Sequence, residues 1–209
     1  MNQLKIERMV LGVVGTNCYY IYRQGESDAI CIDPADQGGE IYHKLQQLGL
    51  EVKGILLTHG HFDHLSGANE LAQLSGAPMY ALEAEKVVCE SADVNLSSQM
   101  GRTVSVVCDH YCQDGATITV GNLSCKIIST PGHTIGSCCY YFEQDQVLIS
   151  GDTLFLESVG RTDLPTGSMK SLVRSIRQRL FILPEEVTVY PGHGDSTAIG
   201  HEKLYNTFC

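Results

Sequence analysis

The chain has 209 residues, of which 43% are hydrophobic and 18% are charged, a composition typical of a globular protein with a substantial core. The formal net charge is −10 and no basic run is present, which argues against a nucleic-acid ligand because phosphate binding requires clustered Lys and Arg. No stretch approaches the roughly 18 apolar residues of a membrane-spanning helix, so we expect no membrane partner.

Targeting signals and cysteine usage indicate the compartment. Residues 1–7 contain neither the apolar segment nor the cleavage site of a secretory signal. The nine cysteines are scattered, odd in number and form no Cys-x-x-Cys pair. We interpret them as reduced thiols, which predicts a cytoplasmic protein.

The first half of the chain predicts strands interspersed with helices. Apolar or β-rich runs predict strands at residues 3–10, 18–22, 29–32, 54–58 and 78–81. Residues 40–48 have apolar residues at helical spacing and Gly49 as a C-cap, which predicts a helix. Further helices are predicted at residues 65–75 and 82–88.

The second half begins with residues 91–113, which are mixed and polar and predict a surface excursion. Strands are predicted at residues 117–120, 123–128, 137–142, 146–149 and 187–190. Apolar residues repeat every four positions over 169–180, which predicts an amphipathic helix with Ser168 as its N-cap. A last helix is expected to begin near Thr197.

This element order predicts an α/β fold in a single domain spanning residues 1–209, because no Ser- or Gly-rich linker divides the chain. A short repeated motif supports two similar halves: Pro-Gly-His occurs at residues 131–133 and again at residues 191–193, each time after a β-rich run. Two sheets, each with helices on its outer face, would form a four-layer αβ/βα sandwich.

Residues 58–64 read Thr-His-Gly-His-Phe-Asp-His and place three histidines and one aspartate within six positions. Imidazole and carboxylate groups bind zinc and similar divalent metals. The motif lies between a predicted strand and a predicted helix, where α/β sheets usually present their chemistry. Alternation along the loop would turn His59 and His61 one way and Asp63 and His64 the other, which predicts two metal ions.

Three further candidate ligands follow predicted strands in the same way, namely His133, Asp152 and His193. Each is flanked by glycines that let the backbone approach a crowded centre, namely Gly132, Gly151, Gly192 and Gly194. The remaining histidines lack such a context, and we interpret His43, His110 and His201 as ordinary surface residues.

Together, His-x-His-x-Asp-His, Pro-Gly-His-Thr, Gly-Asp-Thr-Leu-Phe and Pro-Gly-His resemble the metallo-β-lactamase superfamily over nearly the whole chain. The resemblance implies the αβ/βα sandwich. It also implies one metal ion bound by His59, His61 and His133, a second bound by Asp63, His64 and His193, and Asp152 bridging the two.

Within the superfamily, residues 151–155 and 160–165 resemble the short, single-domain glyoxalase II-like (hydroxyacylglutathione hydrolase-like) enzymes. This resemblance implies hydrolysis of small thioesters or esters, such as S-lactoylglutathione, by a hydroxide shared between two divalent ions. Zinc is the expected metal, and iron and manganese suit the same ligands. Asp152 and Asp63 are the expected catalytic carboxylates, Asp63 as a proton acceptor.

Two other activities of the superfamily are disfavoured. A β-lactamase of the best-known subclass would carry cysteine at position 152, and a ribonuclease Z-like enzyme would need a basic exosite for RNA, which this sequence lacks.

The resemblance also implies a substrate-binding role for Arg161, nine positions after Asp152. Asp163 and Asp195 occupy positions where related enzymes use tyrosines, and only 16 residues follow His193, so we expect no glutathione-binding helical domain and weak glutathione recognition. Two alternatives are a persulfide dioxygenase with one iron and a non-enzymatic metal-binding protein. The complete set of seven ligands argues against the dioxygenase.

Overall fold

Two six-stranded sheets, one from each half of the chain, form the framework of the computed structural model, which describes residues 2–209. Met1, part of the expected 1–209 domain, lies outside it. The first sheet runs in chain order through β1 (Leu4–Leu11), β2 (Thr16–Arg23), β3 (Asp28–Ile32), β4 (Glu51–Leu56), β5 (Met79–Leu82) and β6 (His110–Cys112). Its first three strands are antiparallel, whereas β3 to β6 are parallel.

The second sheet has the order β14-β13-β10-β9-β8-β7. Its strands are β7 (Thr117–Val120), β8 (Leu123–Ser129), β9 (Cys138–Phe142), β10 (Val147–Gly151), β13 (Thr188–Pro191) and β14 (Thr197–Ala198). A small hairpin of β11 (Leu154–Phe155) and β12 (Ser158–Val159) follows β10. Only β10 and β13 are parallel, so the carboxyl ends of both point to the same edge.

Helices cover the outer face of each sheet. The helices are α1 (Gly38–Gln47), α2 (Phe62–Leu65), α3 (Ala68–Ser75), α4 (Lys86–Glu90), α5 (Met169–Ser175) and α6 (Ile199–Tyr205). Apolar residues of α1 and α3 pack on the first sheet, and those of α5 and α6 pack on the second. A third apolar cluster, including Tyr140 and Phe142, fills the space between the sheets. These three apolar layers confirm the four-layer αβ/βα sandwich.

The predicted helix over residues 65–75 is wrong at its start. The chain forms α2, breaks at residues 66–67 and resumes as α3. Gly67 causes the break, because its N–H donates to Pro34 O (2.8 Å) and a Cβ there would lie 2.8 Å from that oxygen. Asp63 and His64 therefore lie on a short helix and not on the loop.

Two other helical predictions need adjustment. The expected helix over residues 82–88 is a 3₁₀ turn, Glu83–Glu85, followed by α4. The helix after Ser168 continues from α5 into a wider π-helical turn, Ile176–Leu180, and Ser168 Oγ accepts from Ser171 N as predicted. Within residues 2–209, no helix combines the length and apolar character needed to cross a bilayer.

Candidate metal centre

The seven candidate ligands follow the carboxyl ends of four strands. His59 and His61 lie on the loop after β4, which leads into Asp63 and His64 on α2. The other three follow β8, β10 and β13 and are His133, Asp152 and His193. The fold thus gathers into one cluster residues that are up to 134 positions apart in the sequence (193 − 59).

The cluster contains two groups of three side chains. They are His59, His61 and His133 in the first group, and Asp63, His64 and His193 in the second. Within each group the potential ligand atoms lie within 4.8 Å of one another. His61 Nδ1 is 2.9 Å from His133 Nε2, and His193 Nε2 is 3.3 Å from Asp63 Oδ2. Each group has the number and type of donors found in divalent metal sites.

Asp152 lies between the two groups. Its Oδ1 is 3.4 Å from His64 Nε2 in the second group, and its Oδ2 is 3.6 Å from His133 Nε2 in the first. Oδ2 is also 3.6 Å from His193 Nε2. This placement suits a carboxylate shared by two metal ions.

Unpaired polar atoms test whether the cluster fits metal ions. Among residues 2–209, five buried side-chain polar atoms have no hydrogen-bond partner, and four of them belong to this cluster. These four are His59 Nε2, His61 Nε2, His64 Nε2 and Asp152 Oδ1. Buried polar atoms without partners are costly, and bound cations would satisfy His59 Nε2, His64 Nε2 and Asp152 Oδ1. His61 instead offers its other ring nitrogen, Nδ1, which lies 2.9 Å from His133 Nε2. The donor set therefore fits divalent ions held by imidazole and carboxylate groups.

Asp33, a buried residue at the end of β3, orients histidines of both groups. Its Oδ2 accepts from His64 Nδ1 (2.9 Å) and from Thr58 Oγ1 (2.6 Å), and Thr58 Oγ1 lies 3.1 Å from His59 Nδ1. Because an ionised carboxylate only accepts, His64 keeps a proton on Nδ1, and Nε2 is the nitrogen that faces the cluster and would give up its proton to a metal. A carboxylate oxygen of Asp33 also lies within 4.8 Å of potential ligand atoms on His59 and His64, but Asp33 contacts the Nδ1 side of His64. We therefore interpret it as a support.

Three further contacts fix ligands from outside the cluster. His133 Nδ1 donates to Arg161 O (2.7 Å), which leaves its Nε2 facing the cluster. Thr16 Oγ1 donates to Asp63 Oδ2 (3.0 Å). Asn17 Nδ2 donates to Pro191 O (2.9 Å), which holds the loop that carries His193. The β1–β2 hairpin of the first sheet therefore supports ligands on both sheets.

The two groups differ in electrostatics. Burial lowers the pKa of His61 to about 3 and, with the neighbouring histidines, lowers the pKa of His59. Burial also acts to lower the pKa of His64, but Asp152 and Asp63 outweigh it and raise that pKa to about 10. Burial acts to raise the pKa of Asp63, yet His64 holds it well below its usual range. The first group therefore offers neutral imidazoles, the form that binds metal.

Glu85 joins the two loops that carry the first group. It is 1% exposed and accepts from Gly60 N (2.8 Å), Gly136 N (2.8 Å) and Thr134 Oγ1 (2.9 Å). Burial raises its pKa to about 7, and these three hydrogen bonds oppose the rise. Neither Glu85 nor Asp33 was identified from the sequence. Asp33 shares the strand-end signal of the ligands, whereas nothing in the sequence around Glu85 predicts its contacts.

Close packing explains why glycine occupies most of the positions beside His133, Asp152 and His193. A Cβ on Gly192 would lie 2.3 Å from Asp152 Oδ1, and a Cβ on Gly151 would lie 2.3 Å from Thr58 Oγ1. Gly194 differs, because a Cβ there would meet nothing within 4 Å.

Arg161 lines the cavity beside the cluster, but its guanidinium group is already paired. Nε and an Nη atom donate to the two carboxylate oxygens of Asp163, each at 2.7 Å, and both side chains are exposed. The carboxylate of Asp195, the other aspartate expected to weaken glutathione recognition, lies 3.7 Å from the guanidinium group of Arg8. Among the remaining histidines, His43 and His110 are exposed, and His201 contacts Glu157.

The family model of the metallo-β-lactamase superfamily matches residues 11–193, which include all seven candidate ligands. The chain belongs to this superfamily. The resemblance inferred from the sequence motifs is therefore confirmed.

Relatives within the superfamily differ in their described activities and metals. Hydroxyacylglutathione hydrolase GloC of Haemophilus influenzae is 32% identical, and the match covers 98% of each chain. The crystal structure of BLEG-1 B3 metallo-β-lactamase is 34% identical with a TM-score of 0.92, covering 98% of this chain and 99% of that one. The structure of TTHA1623 in a di-iron-bound form is 31% identical with a TM-score of 0.86, covering 97% of this chain and 100% of the other.

Proposed function

We propose that this chain is a binuclear metal-dependent hydrolase of small thioesters or esters. The observation that carries the proposal is the arrangement of two three-residue groups with Asp152 between them. Histidines of both groups have buried ring nitrogens without a hydrogen-bond partner. The similarity to GloC supports a thioester substrate. Zinc is the proposed metal, and the di-iron form of TTHA1623 keeps iron as the main competitor.

Each ligand has a proposed place. The first ion would be held by His59, His61 and His133, the second by Asp63, His64 and His193, and both by Asp152. Bound divalent ions would lower the pKa of water to about 7 and polarise the substrate carbonyl. In the overall reaction the C–S bond breaks, and water supplies OH to the acyl group and a proton to the thiol.

Asp63 is the proposed proton acceptor. Its Oδ2 accepts a hydrogen bond from Thr16 Oγ1 and faces His193 Nε2, which fixes the side chain. Its Oδ1 makes no hydrogen bond to any residue in the described part of the chain and is the atom we assign to take up the proton. Asp63 also lines the cavity, so we expect a bound substrate to approach this side chain.

The similarity to BLEG-1 makes β-lactams a second candidate substrate class. A β-lactam and a thioester both present a carbonyl carbon to water, so the same cluster would suit either. The cluster favours neither, and the two differ in the leaving group, an amine or a thiol.

The test is a metal-defined activity screen. Metal-free protein is reloaded with zinc, iron or manganese and assayed with thioesters, lactones, phosphodiesters, a chromogenic β-lactam, and a persulfide with an oxygen electrode. We expect two ions per chain and hydrolysis of thioesters. His193→Ala should lose metal and activity, whereas His201→Ala, at a histidine outside the cluster, is the matched control. A single tightly bound iron with oxygen consumption on adding persulfide would overturn the proposal.

A further inference from the structure

A cavity of about 650 Å³ opens beside the seven-residue cluster, which is within the range of small-molecule sites. Its wall beyond the candidate ligands is largely apolar and comes from separate segments. The main contributors are Val14, Phe62, Leu96, Met100, Phe155 and Leu164. Several of these side chains are half-buried, so they form a built wall with an accessible inner face.

Charge is nearly absent from this wall. Apart from the candidate ligands, Arg161 is the only charged side chain among the described residues that line the cavity. Its bidentate pair with Asp163 neutralises it. An anionic substrate group would therefore have to compete with Asp163 for Arg161, the only cation among the described residues of the wall. A charged group placed against the apolar side chains would lose hydration without compensation.

Leu96 is held toward this cavity in a strained conformation. Its φ is 71°, and of the six non-glycine residues with positive φ among residues 2–209 it is the only apolar one. Asn95 fixes the segment: its O accepts from Phe62 N (2.9 Å), and its side chain bonds Val104 O and Ser97 N, each at 2.9 Å. Strain that the surroundings impose in this way is typical of functional sites.

We propose that this cavity selects substrates in which an uncharged apolar chain flanks the scissile carbonyl, and that it disfavours thioesters of anionic thiols such as glutathione. Leu96 is a specificity-determining residue that contacts this chain. The inference rests on the proposed thioester hydrolase function. The apolar chain belongs either to the acyl group or to the thiol, and the cavity accommodates both sources by the same contacts.

Two substrate series distinguish these sources in the metal-loaded enzyme. One extends the acyl group from acetyl to hexanoyl on a single small neutral thiol, and the other extends the thiol on a constant acetyl group. The value of kcat/KM should rise about fourfold per buried methylene in the series that fills the cavity. The glutathione ester of the preferred acyl group should be hydrolysed with a lower kcat/KM than the neutral ester.

Leu96→Asn tests the residue without relying on a disruptive change, because asparagine tolerates positive φ. It should lower the ratio of kcat/KM for the longest to the shortest substrate by about tenfold. Val107→Asn is the matched control, since Val107 lies in the same excursion, is 65% exposed and is absent from the cavity wall. Its ratio should equal that of the wild type.

Binding of non-hydrolysable S-alkyl thioethers provides a readout that does not depend on turnover. Affinity that rises with chain length in the wild type and in Val107→Asn, but much less in Leu96→Asn, supports the inference. Affinity and kcat/KM that are independent of chain length, or that rise equally in Leu96→Asn, overturn it while thioester hydrolysis stands. If no thioester is hydrolysed, the proposed function fails, and the thioether series still decides the character of the cavity.

Discussion

Asp33→Asn tests whether one buried carboxylate orients ligands of both groups. The backbone should be unaffected, because asparagine tolerates the φ of 51° at this position. If the amide oxygen keeps the hydrogen bond from Thr58 N, the new NH₂ group faces Thr58 Oγ1 and His64 Nδ1. Both atoms must then accept. The His64 proton moves to Nε2, which faces the cluster, and the Thr58 hydroxyl turns toward His59 Nδ1.

The magnitude follows from two alternatives. Changing the tautomers should cost about 10- to 100-fold in metal affinity, the usual effect of losing such a partner, which equals roughly 1.4–2.7 kcal/mol. Rotating the new side-chain amide by 180° preserves the tautomers of both histidines. It also places the NH₂ group against the Thr58 N–H, so that two donors face each other, which costs about 1–3 kcal/mol of stability. The variant adopts the cheaper alternative, so the losses in stability and in binding free energy should sum to at least about 1 kcal/mol.

Two measurements are needed for this comparison. Urea unfolding of the metal-free protein gives the change in stability, and competition with a chelator gives the affinity for each ion. Asp93→Asn, at an exposed aspartate, is the control for the change of charge. If Asp33→Asn unfolds at the wild-type denaturant concentration and also binds both ions as tightly as the wild type, the proposed orienting role is wrong.

Three other substitutions test separate contacts. Asp152→Ala should lose nearly all hydrolysis and part of its metal while circular dichroism shows a folded protein, because the carboxylate lies between both groups; wild-type turnover would contradict the bridging role. Asp163→Asn should lower the KM for S-lactoylglutathione by about tenfold or more, because it frees Arg161 for one charge-assisted contact of about 1.5–3 kcal/mol. Adding Arg161→Ala to this variant should restore the higher KM. Glu85→Ala leaves the buried N–H groups of Gly60 and Gly136 unpaired, whereas the Thr134 hydroxyl keeps Ser137 Oγ as a partner. It should reduce the free energy of unfolding by about 2 kcal/mol or more in urea titrations, whereas exposed Glu83→Ala should have little effect.

The seven candidate ligands could be predicted because their signals are local. Each follows a β-rich run, and glycine lies beside most of them. The supporting residues carry weaker signals, because their roles depend on distant partners. Glu85 bonds groups that are 25, 49 and 51 positions away, at Gly60, Thr134 and Gly136. The break before α3 was missed for the same reason, since the contact between Gly67 and Pro34 is tertiary.

The segment between α4 and β6 shows most clearly that tertiary contacts cannot be predicted from local sequence. It also suggests that chemistry and substrate selectivity depend on different parts of the chain. Periodicity did not predict the structure of this segment, because two tertiary hydrogen bonds hold it: Phe62 N donates to Asn95 O, and Asn95 Nδ2 donates to Val104 O. It contributes Leu96 and Met100 to the cavity but none of the candidate ligands. The ligands depend on strand ends buried between two sheets, where a change in backbone position would disturb both groups. Leu96 and Met100 are neither ligands nor part of those strands, so their side chains can change without moving the strand ends. We therefore expect substitutions at Leu96 and Met100 to alter substrate preference while leaving the metal content unchanged.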